Sequence, residues 1–302
     1  MADDYMALAD LTIINDNNVA DIDVRDLFDR APLMAALNAV TASNGTVHKY
    51  FKTTGAPVVG FRDYNDGREH DSTIRTAVTI DLKVFDCSFT VDTAVARSYK
   101  GGEEGLIRLE AIEALRAGFF KLEQQVLNGT EAAGFDGLAD IYNTAAECIN
   151  SGGSTALSSV YLIRSGLNDV SIVAGNSGQL TIGESVLQRV PGATGHYMAY
   201  VTEIMALYGL QIGSQEKSAI RICNIDNGSN KLDDDLLYEA LAEFESGSPP
   251  THIVMNRRSA QQLRQSRTAT NATGAPAPIP VELEGIPIVI TDAIGNAETA
   301  VT

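Results

Sequence analysis

The sequence has no tryptophan, only three cysteines, and 22 basic residues against 39 acidic ones. Each shortage removes a class of function. A formal charge of -17 at pH 7 and a pI near 4.5 leave no basic stripe, and gripping a phosphate backbone requires one. Nucleic acid can be a neighbour of such a chain, repelled by a negative wall, without being its ligand. Cys87, Cys148 and Cys223 are odd in number and far apart in sequence. They lack the paired spacing of metal ligands or redox motifs, so three reduced, buried thiols are expected. No run of about 18 apolar residues occurs. The acidic opening MADDYMALAD has neither the basic region nor the apolar core of a secretory signal. The Asn-Gly-Thr triplets at Asn44 and Asn128 therefore read as turns or caps rather than glycosylation sites.

Recognisable catalytic patterns are missing as well. His48, His70, His196 and His252 fall in four separate segments, none flanked by a nucleophilic-hydrolase or zinc-enzyme motif. Gly175, Gly178 and Gly183 are spaced wrongly for a phosphate loop, and no lysine follows them. Asp226, Asn230 and Asp233 to Asp235 lack the glycine and glutamate of a helix-loop-helix calcium site. A turn followed by a helix cap accounts for them. No catalytic residue, cofactor or metal ligand is expected.

What is present is a globular composition, 44% hydrophobic and 20% charged, in 302 residues, which suits about two domains. The longest helical signal is residues 103–128. Leu109, Ile112, Leu115, Phe119, Leu122 and Val126 recur at intervals of three and four along one face. Glu103 and Glu104 suit the positive end of its dipole, and Gly129 supplies a left-handed stop. Before it, residues 1–44 alternate short amphipathic pieces, at 22–28 and from Pro32 through Leu33, Leu37 and Val40. Neither is long enough to be stable alone. Strand patterns follow at 46–54 and 73–91, where Val78, Ile80, Leu82 and Val84 alternate with polar residues. Between them, residues 55–72 carry Arg62, Asp63, Asp66, Arg68, Glu69 and Asp71, the charged tip of a long two-stranded excursion. An isolated hairpin is marginal in water, so one that protrudes docks on a partner.

Later segments read as strands at 158–166, 170–175, 200–212 and 218–225, with a polar, glycine-rich excursion at 176–199. Three acids at 233–235 cap a helix over 236–246. A strand at 252–256 runs into a helix at 259–267, a proline-rich turn at 274–280 and a closing strand at 287–292.

Three stretches carry a resemblance: LNGT with GFDGL at the end of the long helix; SSVYLIRSGLNDVSIVAGNSGQ with YGLQI and IRICNID; and HIVMNRRSAQQLRQSR with LEGIPIVITDAI. Together with the order of parts, they resemble the major capsid proteins of tailed bacteriophages, which share the Hong Kong 97-type fold. The resemblance implies an α+β chain with an N-terminal arm at 1–44 and an extended loop, a β-hairpin, at 45–82. It implies a peripheral domain at 83–137 and 251–302 holding the spine helix 103–128, and an axial domain at 138–250. The implied function is a shell protein whose copies form hexamers and pentamers of an icosahedral head around double-stranded DNA, without specific DNA binding, catalysis or membrane association. The virion is the implied location, with assembly in the host bacterial cytoplasm. The extended loop lies over the adjacent subunit in such shells, which makes Arg62, Asp63, Asp66, Arg68, Glu69 and Asp71 intersubunit contacts, of a character closer to a polar rim than a hydrophobic anchor. A separate scaffolding protein (or an already trimmed chain), a portal and a decoration protein complete the implied partners. Lys49 and Lys52 lie near the loop, but nothing marks an acceptor, so no covalent crosslink is expected. An encapsulin-type compartment shell shares the fold, and a soluble α+β enzyme with an unrecognised site is the reading from another class.

Overall fold

The computed structural model describes residues 13–14, 28–55, 57–68, 71–144, 147–213, 218–269, 272 and 274–302. The first amphipathic piece, apart from Phe28, lies outside them. Strand β1 (Ile13–Ile14) is followed by helix α1 (Pro32–Ala36) and strand β2 (Ala39–Thr41). The helix expected to continue through Val40 stops at Ala36, because Asn38 and Val40 join a sheet instead. The Ile172 N–H donates to the Asn38 carbonyl, and β2 runs parallel to β9 (Ser171–Ala174). Phe28, Ala31, Leu33, Met34 and Leu37 are buried in the chain's own core, so residues 28–41 rest on their own body.

Strands β3 (Val47–Gly55) and β4 (Ile74–Asp81) form a two-stranded antiparallel hairpin. The single strand expected over 73–91 is three: β4, then β5 (Lys83–Asp86) and β6 (Phe89–Asp92), each with its own partner. Helix α2 (Thr93–Ser98), which the sequence pattern did not reveal, begins at Asp92, whose side chain accepts the Ala94 N–H.

Helix α3 (Gly102–Asn128) is the spine. Gly129 closes it at φ 63, as its position predicts, and a Cβ there would strike the Asp140 carboxylate and the Gly137 backbone. The buried face differs from the expected one. Leu115, Phe119, Leu122 and Val126 enter the core, but Leu109 is 45% exposed. Upstream, Leu106 packs on Val91 and Ala96 in a small separate cluster. The polar side chains Glu123 and Gln125 are buried as well.

After α4 (Leu138–Ile141) come β7 (Cys148–Asn150), β8 (Ser158–Ile163), β9, β10 (Gln179–Ile182), β11 (Val186–Gly192), β12 (Gly195–Thr202), β13 (Ile204–Gln211) and β14 (Ala219–Ile225). The polar stretch 176–199 contains an ordered hairpin, β11–β12, joined at Gly192 and Gly195. The strand expected over 200–212 breaks at Glu203, with β12 in one sheet and β13 in another. β5 and β6 face that same break from the other side: β5 pairs with β13, β6 with β12, and the Cys87 N–H donates to the Ile204 carbonyl in between. The two bent strands thus keep one antiparallel register from Lys83 opposite Tyr208 to Asp92 opposite Ala199.

Helix α5 (Asp234–Ala242) is capped by Asp233, which accepts the Leu236 N–H. β15 (His252–Met255), α6 (Arg257–Ala269), β16 (Glu282–Leu283) and β17 (Ile286–Ile290) complete the chain. Among the described residues the strands form the hairpin β3–β4 and three sheets. These are ordered β1-β10-β13-β9-β2 with β5 beside β13, then β11-β12-β6, then β16-β17-β15-β8-β14-β7. In the last sheet β15 hydrogen-bonds to both β17 and β8, so strands from either side of residue 250 share it. Alternation by two gives that sheet two apolar faces. Tyr161, Ile163 and Val254 turn toward α1 and α3, while Val160, Leu162, Ile253 and Met255 turn toward α5 and α6.

Candidate functional site

Among the described residues, the hairpin β3–β4 is fastened to the body at its root. His48 is buried, its Nε2 lying 2.9 Å from Gln211 Oε1. The Tyr50 hydroxyl donates to the Ile212 carbonyl at 2.8 Å, and burial is the main cause raising its pKa. The Leu82 N–H donates to the Thr46 carbonyl. Beyond this root β4 is mostly exposed, and both Phe51 and Ile74 show most of their surface to solvent.

At the far end, the charged residues that the sequence places at the tip have a role inside the loop. Arg68 donates to the Gly60 carbonyl at 2.5 Å and also to the Val58 carbonyl. Arg62 donates to the Asp66 carbonyl at 2.8 Å. Asp71 accepts the N–H groups of Val58 and Ser72, and Asp66 accepts that of Gly67. The Asp63 carbonyl accepts the Asp66 N–H across a turn in which Asn65 takes φ 61; Glu69 lies outside the described residues. These groups tie the two sides of the loop together while most of them stay exposed themselves, and apolar side chains face water beside them: Val58, Val59, Phe61 at 107% and Tyr64 at 101% exposure. The sequence reading missed these four. Their trace was the run PVVGF, with Tyr64 three residues on, in a stretch otherwise read as charged.

Two cavities lie elsewhere among the described residues. A cavity of about 280 Å³ beside the spine helix is lined by Val84, Phe85, Leu122, Phe135 and Tyr208, with Lys121 paired to Glu131 at 2.6 Å on its rim. A larger one of about 570 Å³ adjoins residues 295–302. Its buried cation, Arg221, is committed to Glu298 at 2.9 Å and to the carbonyls of Ala139 and Tyr142. His252 lies beside the Thr251 hydroxyl at 2.9 Å, and burial lowers its pKa. Asp226 accepts the N–H groups of Gly228 and Asn230 as a turn residue. Among the described residues no three of His, Cys, Asp and Glu are gathered to hold a metal ion, and no helix is long and apolar enough to cross a membrane.

Comparison with known proteins gives the geometry a context. A family model described as "Major capsid protein GP7" matches residues 16–302. No curated protein matches the chain. Among solved structures, a chain of bacteriophage Epsilon15 is similar at 22% identity and a TM-score of 0.58, with 87% of each chain covered. The bacteriophage JBD30 capsid is similar at 12% identity and a TM-score of 0.50, over 84% of this chain and 88% of that one. At these identities the likeness is one of fold.

Proposed function

The chain belongs to the major capsid protein GP7 family, with a Hong Kong 97-like α+β fold, and from that premise we propose how its copies join. As a phage capsid protein it assembles with itself and resides in the virion. The finer reading is that the hairpin β3–β4 reaches over an adjacent copy in hexamers and pentamers, and that Val58, Val59, Phe61 and Tyr64 are its anchor there. Arg62, Asp63, Asp66, Arg68, Glu69 and Asp71 form the surrounding rim, several of them bracing the loop that presents the anchor. The observation that carries this is the exposure of two whole aromatic side chains on an internally braced loop. Aromatic residues in that position dominate interface energies, whereas rim charges contribute little.

In the same reading, the six-stranded sheet with α5 and α6 meets its copies at the symmetry axes, and the spine helix with β6, β11 and β12 lies at the periphery. The shell encloses double-stranded DNA without reading it, consistent with a charge of -17. The role requires no catalysis. Assembly in the host cytoplasm on a separate scaffolding protein, with a portal and a decoration protein, completes the proposal.

The test is the double substitution Phe61→Ser with Tyr64→Ser, followed by size-exclusion chromatography and electron microscopy. Both side chains face water in the lone chain, so the fold is expected to survive, with an unchanged melting temperature. Closed shells are expected to disappear in favour of free subunits. Shells formed in normal yield would overturn the anchor assignment.

A further inference from the structure

Cys148 and Cys223 stand 75 residues apart in sequence, yet their Sγ atoms are 2.9 Å apart. β7 runs parallel to β14 with Cys148 opposite Arg221 and Asn150 opposite Cys223. The two cysteines are therefore diagonal neighbours on one face of adjacent strands. We propose that Cys148 and Cys223 are a modification site, closing to an intrachain disulfide in an oxidising medium and stapling β7 to β14.

The staple falls where the sheet is least secured. β7 has three residues and ends the sheet, bonded among the described residues to β14 alone, and short parallel edge strands are weakly held. The same spot fastens the C-terminal tail. Asn224, next to Cys223 and at φ 57, donates to the Val301 carbonyl and to Asn150 Oδ1, and accepts the Val301 N–H. Linking the sulfurs thus secures the edge strand and the tail's attachment together.

Access and reactivity divide the two roles. Cys148 is half-buried, its thiol within reach of the Thr144 carbonyl at 3.1 Å, so it can meet a small oxidant first. Cys223 is buried; burial, and then the hydrogen bond to Cys148, push its thiol up to about 12. With a low-molecular-weight disulfide as oxidant, the Cys148 thiolate attacks one oxidant sulfur, forming a mixed disulfide and releasing one reduced thiol. Cys223 then loses its proton to water or to the released thiolate and attacks the Cys148 sulfur. The second reduced thiol leaves. Two cysteine thiols give up two electrons and two protons, and the oxidant's sulfur–sulfur bond takes them. The raised pKa of Cys223 slows the second step. Cys87 does not compete: it lies behind the spine helix near Gly118, and burial, then the Asp86 charge, push its thiol up to about 12. A reducing cytoplasm keeps both partners as thiols, and release from it permits closure.

This is a property of one chain, independent of the assembly reading. The full-length protein, assembled or not, is held with oxidised glutathione, quenched in acid, unfolded and alkylated, and its thiols are located by mass spectrometry. Three alkylated cysteines are expected before oxidation and one, Cys87, afterwards, with a single linked pair of peptides containing Cys148 and Cys223. Oxidised wild type is expected to melt above reduced wild type, and neither Cys148→Ser nor Cys223→Ser is expected to show the link or the shift. Three free thiols after prolonged oxidation, or links that involve Cys87 or join two chains, would overturn the proposal.

Discussion

The carboxylate of Glu123, on the spine helix, receives the backbone N–H of Leu33 at 3.0 Å. Helix α1 begins with Ala31 at its cap position and Pro32 in its first turn, and Ala31 has no side chain with which to cap it. A residue 90 positions away therefore does the work of a cap. The Thr291 hydroxyl donates to the other oxygen of the same carboxylate, so one side chain ties α1, α3 and the end of β17 together.

The burial of that carboxylate makes stability depend on pH. Burial pushes Glu123 up to about 7, against the opposing pull of the Thr291 hydroxyl and the α1 N–H groups. A folded pKa above the unfolded 4.5 means that the contribution is fully present below pH 4.5 and is lost as pH rises through 7. Glu123→Gln retains an acceptor for Leu33 and does not titrate. Relative to wild type it is expected to gain about 3 kcal/mol between pH 5 and 8.5, measured by denaturant unfolding across that range. His252, whose pKa burial lowers, acts in the opposite direction but is common to both proteins and cancels. Parallel pH profiles would refute the assignment.

Arg68 is expected to matter for assembly through the loop's shape. Arg68→Ala removes the donors to Gly60 and Val58 on an exposed loop, so global stability should change by less than about 0.5 kcal/mol. Limited proteolysis within residues 57–72 should accelerate, and shell yield should fall. An unaltered cleavage rate would show that the brace is unnecessary.

Gly129→Ala is expected to destabilise the chain by about 1–3 kcal/mol. The left-handed φ and the contact with Asp140 and Gly137 both oppose a Cβ. Chemical denaturation measures the loss, and a neutral result would mean that the segment after the spine helix can move aside.

Arg221→Ala leaves the half-buried Glu298 without its cation, beside Ser159. Removing one member of such a pair costs about 3–5 kcal/mol. Adding Glu298→Ala should restore part of the stability by removing the stranded charge. Hydrogen exchange of residues 295–302 should rise in the single variant. Additive losses in the double variant would argue against the coupling.

The parts legible in the sequence were those whose pattern is local. The spine helix begins one residue before its expected start and stops where expected, because Gly129 and the three-four spacing act locally. β8, β9, β14 and β15 were recognisable as short apolar runs. What was hidden depends on partners distant in sequence. Val40 has helical spacing but joins β9; Glu123 looks like solvated charge until Leu33 and Thr291 are brought to it. Arg62 and Arg68 advertise contact at the loop tip, while their carbonyl partners four to ten residues away engage them and leave Phe61 and Tyr64 outward. Cys148 and Cys223 carry no spacing signal, since a parallel pairing of strands brings them together.

The unbroken register of the two bent strands has a mechanical result. Residues 83–92 and 199–208 act as one ribbon with a fulcrum at Cys87 and Ile204. The outer limb bears the β11–β12 tip and, through Tyr200 and Glu103, grips the first turn of the spine helix. A push on that tip by a neighbouring molecule is expected to reach the helix as torque, and the inner limb continues into the sheet that also holds β2.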